Sequence, residues 1–238
     1  MTGTARRRGG WRALVTDVDG TLTDSARRLD LGAVRAVRAL EASGVPVILA
    51  TGNVLPIALA IHRSLGLAAP IVAENGGLVY ERVDGIDTVR RLARRAPALA
   101  AFRRLRREGL PVRRLFTDRW RETEVALEPN VTTRVVRPHL RGSGIAVEAT
   151  GYALHLMEKG HGKRPALEGV LAARGLTLAD CVVAGDGDND VPMLRAAGLA
   201  LSFANGSPAA RRAADHVARA GYAEGFVEAL KKTGVLAR

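Results

Sequence analysis

Two acidic residues stand close together near the start of this sequence, directly after an apolar segment. Arg12 to Asp17 is predicted to be a buried strand, and it leads into the run Asp17-Val18-Asp19-Gly20-Thr21. Ligands of open parallel sheets bind beyond the carboxyl ends of the strands, so both carboxylates can point into one crevice. Asp17 could attack phosphorus as a nucleophile, and Asp19 could protonate a departing alcohol oxygen and later activate water. An acidic strand–turn junction without chemistry is the alternative.

A second acidic group lies far along the chain, again after an apolar strand-like segment. In the run Gly185-Asp186-Gly187-Asp188-Asn189-Asp190, three acids fall within five residues. Their mutual repulsion is relieved by a hard cation with oxygen ligands. We expect Asp186 and Asp190, together with Asp17, to hold Mg²⁺, which retains water and engages a substrate phosphate. A solvated acidic loop is the alternative, and the closing Glu of a calcium-binding EF-hand is missing.

Two more groups could contact the oxygens of a phosphoryl group. Thr51-Gly52-Asn53 follows the predicted strand from Val45 to Thr51 and offers a hydroxyl and backbone amides. Lys163, one of four lysines, precedes a predicted helix, and a cation there would offset phosphoryl charge. Taken singly, the first could be a helix cap and the second a surface charge. Together with the acids they occupy four successive strand ends or helix starts, which predicts phosphoryl transfer.

The elements that must position these groups alternate between strand and helix. Predicted strands at 12–17, 45–51 and 70–73 are separated by helices at 30–43 and 56–66. This order predicts a parallel sheet with helices on both faces. The pattern returns after Lys163, with a helix at 164–174, and helical segments are predicted at 207–218 and 225–235. The sequence therefore predicts an α/β, Rossmann-like core of residues 11–83 and 159–238, preceded by a disordered tail at 1–10.

Residues 84–158 differ from this pattern and are predicted to form an inserted α+β cap domain with antiparallel strands. Strand-like runs lie at 124–128, 133–137, 145–151 and 152–157, and an Arg-rich helical stretch lies at 88–109. A cap that closes over the crevice must contact the rest of the substrate. The cap residues that could do so are Arg119, Arg121 and His155, although a surface charge is the favoured interpretation of either Arg taken singly.

Two residues of the cap and one turn of the core complete the expectations. His155 alternates with Leu154 and Leu156, so it faces either the crevice or the solvent. Trp120 is expected in the hydrophobic core of the cap. The run Glu74-Asn75-Gly76-Gly77 is expected to form a turn near the site without a chemical role.

Composition limits the class of protein. The 238 residues are 47% hydrophobic, and no apolar run is long enough to span a membrane. The single cysteine, Cys181, excludes an internal disulfide and fits a reducing cytoplasm. The net charge of +12 raises the possibility of a nucleic-acid partner. Against it, 32 of the 36 basic residues are Arg, a bias typical of a GC-rich genome, and only 4% of all residues are aromatic, so stacking surfaces for bases are scarce. We therefore expect a cytoplasmic monomer or homodimer that binds a small phosphorylated metabolite, with no nucleic-acid or membrane partner.

The four groups resemble the four motifs of the haloacid dehalogenase-like superfamily, and the insertion resembles the α/β cap of its Cof-like branch. Longer stretches, TGNVLPIALAIHRSLG, TDRWRE, TGYALHLMEKG and GDGDNDVPML, are similar to archaeal-type phosphoglycolate phosphatases. The resemblance covers nearly the whole chain apart from the N-terminal tail and the middle of the cap.

This resemblance implies a role for each matching residue. Asp17 is the expected nucleophile and Asp19 the expected acid and base. The expected ligands of Mg²⁺ are Asp17, the main-chain carbonyl of Asp19, Asp186 and Asp190, and the expected substrate-binding residues are Thr51, Gly52, Lys163 and Asn189. The implied reaction is hydrolysis of 2-phosphoglycolate through an aspartyl-phosphate. A sugar-phosphate or phosphoglycerate-type phosphatase of the same superfamily, and more remotely a basic nucleic-acid-binding protein, are the alternatives.

Overall fold

The structure, a computed structural model, describes residues 10–236, so the tail predicted for 1–10 lies outside the described residues except at residue 10. The strands are β1 (Ala13–Thr16), β2 (Val47–Ala50), β3 (Ile71–Ala73), β4 (Leu78–Val83), β5 (Ile86–Arg91), β6 (Val125–Leu127), β7 (Ile145–Thr150), β8 (Ala153–Glu158), β9 (Cys181–Ala184), β10 (Leu199–Ser202) and β11 (His216–Val217). The helices are α1 (Leu31–Ala42), α2 (Leu55–Leu65), α3 (Arg95–Arg107), α4 (Thr133–His139), α5 (Lys163–Ala172), α6 (Val191–Leu194), α7 (Pro208–Ala213) and α8 (Tyr222–Lys232).

Eight strands form one large sheet in the order β11-β10-β9-β1-β2-β3-β4-β5. The six strands from β11 to β3 run parallel, while β4 and β5 are antiparallel to their neighbours. The central strands β1, β2 and β9 are short and buried at every residue, as expected of a parallel sheet that is covered on both faces. This sheet and its helices form the main domain, and the predicted α/β fold is confirmed.

Helices cover both faces of the large sheet. One face packs against α1, α2 and α8 around Leu14, Leu49 and Phe226, and the other packs against α5, α6 and α7 around Val15, Ile48 and Val183. The two faces follow from the alternation of side chains along each strand. None of the helices among residues 10–236 is both long and apolar enough to cross a lipid bilayer.

Local sequence signals fix the ends of α1 and α2. The Asp30 carboxylate caps α1 by accepting hydrogen bonds from the amides of Gly32 (2.7 Å) and Ala33 (3.0 Å), as the sequence predicts. Gly66 ends α2 in the left-handed region with φ 74°, which glycine adopts without steric cost.

A smaller unit, called the cap below, comprises residues 95–158. Its sheet has the order β6-β8-β7 and is antiparallel. Apolar side chains of α3 and α4 pack on one face of this sheet, around Leu105, Val136 and Leu156. The other face, which carries His155 beside Ala126 and Glu148, is turned toward the main domain.

The structure differs from the sequence predictions in three segments. Residues 133–137, predicted as a strand, belong to α4, because burial of Val136 and Leu140 on one helical side outweighs local β-propensity. The helix predicted at 88–109 is limited to α3, and residues 86–91 form β5, which pairs with β4 in the large sheet. The helix predicted at 207–218 ends at Ala213, since residues 216–217 pair with β10.

Trp120 is also placed differently from the prediction that it lies in the hydrophobic core of the cap. Its side chain is 45% exposed and packs edge-on against Phe116 at 5.4 Å between ring centroids. Arg119 lies over the Phe116 ring at 4.0 Å. Leucine and valine side chains fill the cap interior instead, so Trp120 belongs to an aromatic cluster on the outer surface.

Candidate active site

The predicted groups meet at the carboxyl edge of the three adjacent strands β9, β1 and β2. Asp17 and Asp19 follow β1, Thr51 follows β2, and Asp186 and Asp190 follow β9. The backbone amide of Asp17 donates to Ala184 O at 3.0 Å, which extends the pairing of β1 and β9 up to the site.

Lys163 lies at the centre of this group, at the first residue of α5. Its Nζ donates to Asp17 Oδ1 at 2.8 Å and to Asp190 Oδ1 at 2.6 Å, and all three side chains are buried. Burial lowers the pKa of Lys163, but the two carboxylates outweigh this effect and the net shift is upward. Lys163 therefore stays positively charged where a phosphoryl group would need a cation.

Asp17, Asp186 and Asp190 form a group that could hold a metal ion, because one oxygen of each lies within 4.8 Å of the others. Burial raises the pKa of Asp17 well above its ordinary value, and the neighbouring acids add to this, while Lys163 opposes it. Burial and the charge of Asp190 raise the pKa of Asp186 to about 7. A single ammonium leaves this group short of positive charge, and the set of carboxylate oxygens suits a hard divalent cation such as Mg²⁺.

The acids approach one another because glycine occupies position 20. Gly20 has φ 80°, and a Cβ there would lie 2.4 Å from Asp186 Oδ2. Asp186 is oriented by Thr21 Oγ1, which donates to Oδ1 at 3.2 Å, and by Asn205 Nδ2, which donates to Oδ2 at 3.2 Å. Asn205 also donates to the carbonyl of Gly20 at 3.0 Å, so it connects the two acidic segments.

Besides its contact with Lys163, Asp190 stabilises its own loop. Its Oδ2 accepts hydrogen bonds from the backbone amides of Asp186 (3.0 Å) and Gly187 (2.9 Å). The carboxylate therefore shapes the loop that carries Asp186, while its other oxygen contacts Lys163.

Asp19 lies beside this group and is held by two donors. Asn53 Nδ2 donates to its Oδ2 at 2.5 Å, and the hydroxyl of Tyr152, in the cap, donates to the same oxygen at 3.2 Å. Burial raises the pKa of Asp19, against the hydrogen bond from Tyr152 and the charge of Lys163. A raised pKa makes this carboxyl better suited to donate a proton than a solvent-exposed aspartate is.

The predicted contacts of Thr51, Gly52 and Asn189 are placed around the same cleft. Thr51 is buried, and its Oγ1 accepts from the backbone amide of Asn53 at 3.0 Å. Gly52 and Asn189 line a cleft of about 50 Å³ together with Asp17, Asp19, Thr150, Gly151, Tyr152, Asp186 and Gly187. Asn189 Nδ2 donates to Asn75 Oδ1 at 3.0 Å.

Arg121 and His155 meet in a buried network between the cap and the main domain. Arg121 contacts Glu124 Oε1 through Nη1 and also donates to Gly52 O at 2.9 Å. His155 Nδ1 lies 2.8 Å from Glu124 Oε1, and Asn75 Nδ2 donates to Glu124 Oε2 at 3.1 Å. Burial raises the pKa of Glu124, but the interactions with His155 and Arg121 outweigh burial and lower the pKa from 4.5 to about 2.

Arg119 lies apart from this network. It is exposed, stacks on Phe116, and lines a surface groove of the cap with Phe102, Arg106 and Asp118. The cap residues that do line the catalytic cleft are Thr150, Gly151 and Tyr152. Of the three predicted cap residues, two are buried at the domain boundary and one is on the outside.

The turn Glu74-Asn75-Gly76-Gly77 holds the cap against the main domain. Glu74 Oε2 accepts from the amide of Thr123 at 2.9 Å and from its hydroxyl at 2.7 Å. Gly76 has φ 96°, and a Cβ there would lie 2.1 Å from Gly162 O. Only glycine at position 76 leaves room for the backbone of Gly162, which leads into Lys163. The turn thus lies against both the cap and the approach to the site, where the sequence analysis expects it.

A model of the family described as haloacid dehalogenase-like hydrolase matches residues 14–95 and 118–230. The chain belongs to the haloacid dehalogenase-like hydrolases. This family assignment confirms the resemblance seen in the four sequence motifs, and the match leaves out only the ends of the chain and the segment that contains most of α3.

Relatives with assigned names are found among archaeal proteins. The chain is 39% identical over 222 residues to a phosphoglycolate phosphatase of Methanothermobacter thermautotrophicus, covering 93% of this chain and 98% of that protein. It is also 39% identical to a phosphoglycolate phosphatase of Methanopyrus kandleri, covering 92% and 95% respectively. A solved structure from Thermoplasma acidophilum superposes with a TM-score of 0.86 at 26% identity, covering 95% of this chain and all of that one.

Sequence reasoning about this haloacid dehalogenase-like hydrolase assigns no side-chain role to four residues around the cleft. Asn53 and Tyr152 contact Asp19, while Asn75 and Glu124 connect the cap network to Asn189. Asn53 belongs to the run Thr51-Gly52-Asn53, which was considered only for its hydroxyl and backbone amides, so the amide side chain was an available signal. Tyr152 and Glu124 come from the cap, and no local pattern indicates which of its residues reach the main domain.

Proposed function

We propose that this protein is a Mg²⁺-dependent phosphomonoester hydrolase that converts 2-phosphoglycolate into glycolate and phosphate through an aspartyl-phosphate. The observation that carries the chemistry is the buried contact of Lys163 with Asp17 and Asp190, with Asp19 beside it in a capped cleft. The proposed site residues of the main domain are those predicted from the sequence, with Asp17 as nucleophile and Asp19 as acid and base.

In the first step, an oxygen of Asp17 attacks phosphorus and the bond from phosphorus to the alcohol oxygen breaks. The electron pair of that bond passes to the alcohol oxygen, which takes the proton of Asp19 and leaves as glycolate. Lys163 offsets the negative charge of the transferred phosphoryl group, and Thr51 and Gly52 lie where a hydroxyl and an amide can contact its oxygens.

In the second step, Asp19, now ionised, takes a proton from water as the water oxygen attacks phosphorus. The bond from phosphorus to Asp17 breaks, its electron pair returns to the carboxylate, and inorganic phosphate is released. The sum of the two steps is hydrolysis of one monoester by one water, with both aspartates restored. A carboxyl at position 19 serves both steps because it gives a proton in the first and receives one in the second.

Asp17, Asp186, Asp190 and the main-chain carbonyl of Asp19 are the proposed ligands of Mg²⁺. When bound, the ion would neutralise charge on the phosphoryl oxygens and on the crowded carboxylates. This assignment is supported by the separation of 4.8 Å or less between the three carboxylate oxygens.

The choice of 2-phosphoglycolate rests on the archaeal relatives. Both named relatives align with nearly their whole length, so main domain and cap are shared with them. Thr150, Gly151 and Tyr152, rather than Arg119, are the cap residues in position to contact the leaving group.

Phosphate release with Asp17→Asn tests the nucleophile. The variant should lose activity by at least about 10⁴-fold, because an amide oxygen is a poor nucleophile. Asp87→Asn, which removes an exposed carboxylate on β5, is the matched control and should retain full activity. Acid-quenched wild-type enzyme should carry phosphate on Asp17, detected by mass spectrometry, and an active Asp17→Asn variant would refute the assignment.

Rates on a panel of phosphomonoesters test the substrate. Wild-type enzyme with Mg²⁺ should have its highest kcat/KM on 2-phosphoglycolate, with phosphoglycerates and hexose phosphates below it. A preference for hexose phosphates would overturn the substrate while leaving the chemistry of Asp17 intact.

A further inference from the structure

The two-residue turn between β7 and β8 is the part of the cap that enters the catalytic cleft. It consists of Gly151 and Tyr152, and Thr150 at the end of β7 joins them in the cleft wall. The remaining cap residues near the boundary, such as Arg121 and His155, are engaged with Glu124. The turn is therefore the place where the cap can act on the chemistry directly.

At the tip of this turn, Tyr152 contacts the proposed acid and base. Its hydroxyl donates to Asp19 Oδ2, which also accepts the amide hydrogen of Asn53. One donor comes from the cap and the other from the main domain, and both lie on the same oxygen. Within residues 10–236, the hydrogen bonds recorded for the Asp19 side chain all end on Oδ2. The opposite oxygen, Oδ1, is left to exchange a proton with the leaving group or with water.

The Tyr152 ring is itself held from the main domain. The guanidinium of Arg27 lies over the ring at 4.4 Å from its centroid, a cation–π geometry. Arg27 belongs to a tight turn in which Asp24 Oδ1 accepts from the amides of Ala26 (2.8 Å) and Arg28 (2.9 Å). Arg27 also has φ 62°, an uncommon conformation for a residue with a side chain. This turn therefore places a cation against one face of the Tyr152 ring.

We propose that Tyr152 is a positioning residue that orients the Asp19 carboxyl for proton transfer, and that it does so only when the cap is closed. The inference rests on the proposed function, because it requires Asp19 to be the acid and base. Closure would place the Tyr152 hydroxyl on Oδ2 and direct Oδ1 toward the scissile bond. An open cap would leave Asn53 as the single donor, so the acid would be poorly oriented until substrate is enclosed.

Leaving groups of different basicity separate this role from a purely structural one. An alkoxide must be protonated as it departs, whereas para-nitrophenolate is a weak base and departs without that help. Tyr152→Phe keeps the ring under Arg27 and removes only the hydroxyl. The single-turnover rate of the first step on the best alkyl phosphate of the wild-type enzyme should fall about 10- to 100-fold, part of the contribution of a general acid. The single-turnover release of para-nitrophenolate should slow by less than about threefold, because departure of that group depends little on general acid catalysis. Single turnovers are needed because Asp19 also serves the second step, which is common to both substrates.

Three further variants make the test decisive. Tyr80→Phe, which removes a hydroxyl bonded to Asp87 in the large sheet, should change neither rate. In an Asp19→Asn background, Tyr152→Phe should produce no additional loss on either substrate. Arg27→Leu should reproduce the selective loss at smaller size, since the hydroxyl remains but its support is removed.

An equal loss of the single-turnover rate on both substrates, or a higher KM on both with that rate unchanged, would overturn the proposal and leave Tyr152 as a contact that only holds the cap closed. A wild-type enzyme that prefers another alkyl phosphate to 2-phosphoglycolate would contradict the proposed substrate instead. The variants would then be compared with that other alkyl phosphate as the substrate.

Discussion

Glu124 is the carboxylate on which the buried network between cap and main domain depends, and Glu124→Gln tests that dependence. The side chain is 1% exposed and contacts Arg121, His155 and Asn75. Glutamine keeps the shape and one oxygen but removes the charge. Arg121, which is also buried, would then have no carboxylate partner, and an unpaired buried charge is strongly unfavourable.

The size of the effect can be worked out from the pKa of Glu124. Its fall from 4.5 to about 2 corresponds to about 3 kcal/mol of preference for the ionised form in the folded protein. Removing one partner of a buried ion pair costs about 3–5 kcal/mol in general, so the two arguments agree. We expect the free energy of unfolding at neutral pH to fall by about 3 kcal/mol, and the thermal midpoint by roughly 6–12 °C.

The pH dependence gives a second measurement of the same interaction. Because folding depresses the pKa of Glu124, its contribution is present above the unfolded value of 4.5 and is lost as the pH falls toward 2. The difference in stability between wild type and Glu124→Gln should therefore be largest at neutral pH and shrink progressively below about pH 4.5.

Urea unfolding followed by circular dichroism at fixed Mg²⁺ concentration measures both effects. Glu168→Gln is the matched control, because Glu168 pairs with Arg164 on the exposed surface of α5 and should contribute at most about 0.5 kcal/mol. The reasoning would be refuted if Glu124→Gln were no less stable than Glu168→Gln, or if its deficit were the same at acid and neutral pH.

Two pairs of variants test the edge of the sheet where the proposed Mg²⁺ ligands lie. Asp186→Asn should weaken Mg²⁺ binding, measured by calorimetry, with little loss of stability without Mg²⁺. Asp190→Asn should weaken Mg²⁺ binding and also lower the free energy of unfolding by about 1–3 kcal/mol. Asp190 accepts from the loop amides with Oδ2 and from Lys163 with Oδ1, and an asparagine has one acceptor oxygen for both. Equal unfolding midpoints for the two would contradict this. Gly20→Ala should lower kcat/KM at least about tenfold by forcing Asp186 away, whereas Gly85→Ala, with the same φ of 80° but nothing within 4 Å of the new Cβ, should leave activity unchanged.

The parts of this fold that were predictable are those that short sequence patterns determine. Apolar runs such as Val47–Ala50, bounded by turn residues, are typical of buried strands. Asp30 and Gly66 mark helix ends through local hydrogen bonding and backbone conformation. The acids at strand ends were predictable for the same reason, since parallel strands bring their carboxyl ends to one edge.

The cap was harder to predict because its elements are determined by contacts between distant residues. Residues 133–137 look like a strand, but burial of Val136 makes them helical. The alternation of Leu154, His155 and Leu156 leaves two directions for the His155 side chain, toward the crevice or toward solvent. The contact with Glu124, which the sequence does not reveal, decides between them. Tyr152 carries no signal of its contact with Asp19, because the contact depends on how the two domains pack.

The turn Glu74–Gly77 has a consequence for how caps are inherited and engineered in such enzymes. It belongs to the main domain by chain order, yet Glu74 and Asn75 bind Thr123 and Glu124 of the cap, and Gly76 leaves space for Gly162 on the return to Lys163. A chimera that exchanges residues 95–158 alone would separate this turn from its partners. Cap and turn therefore form one unit of recombination, although about twenty residues of sequence separate them.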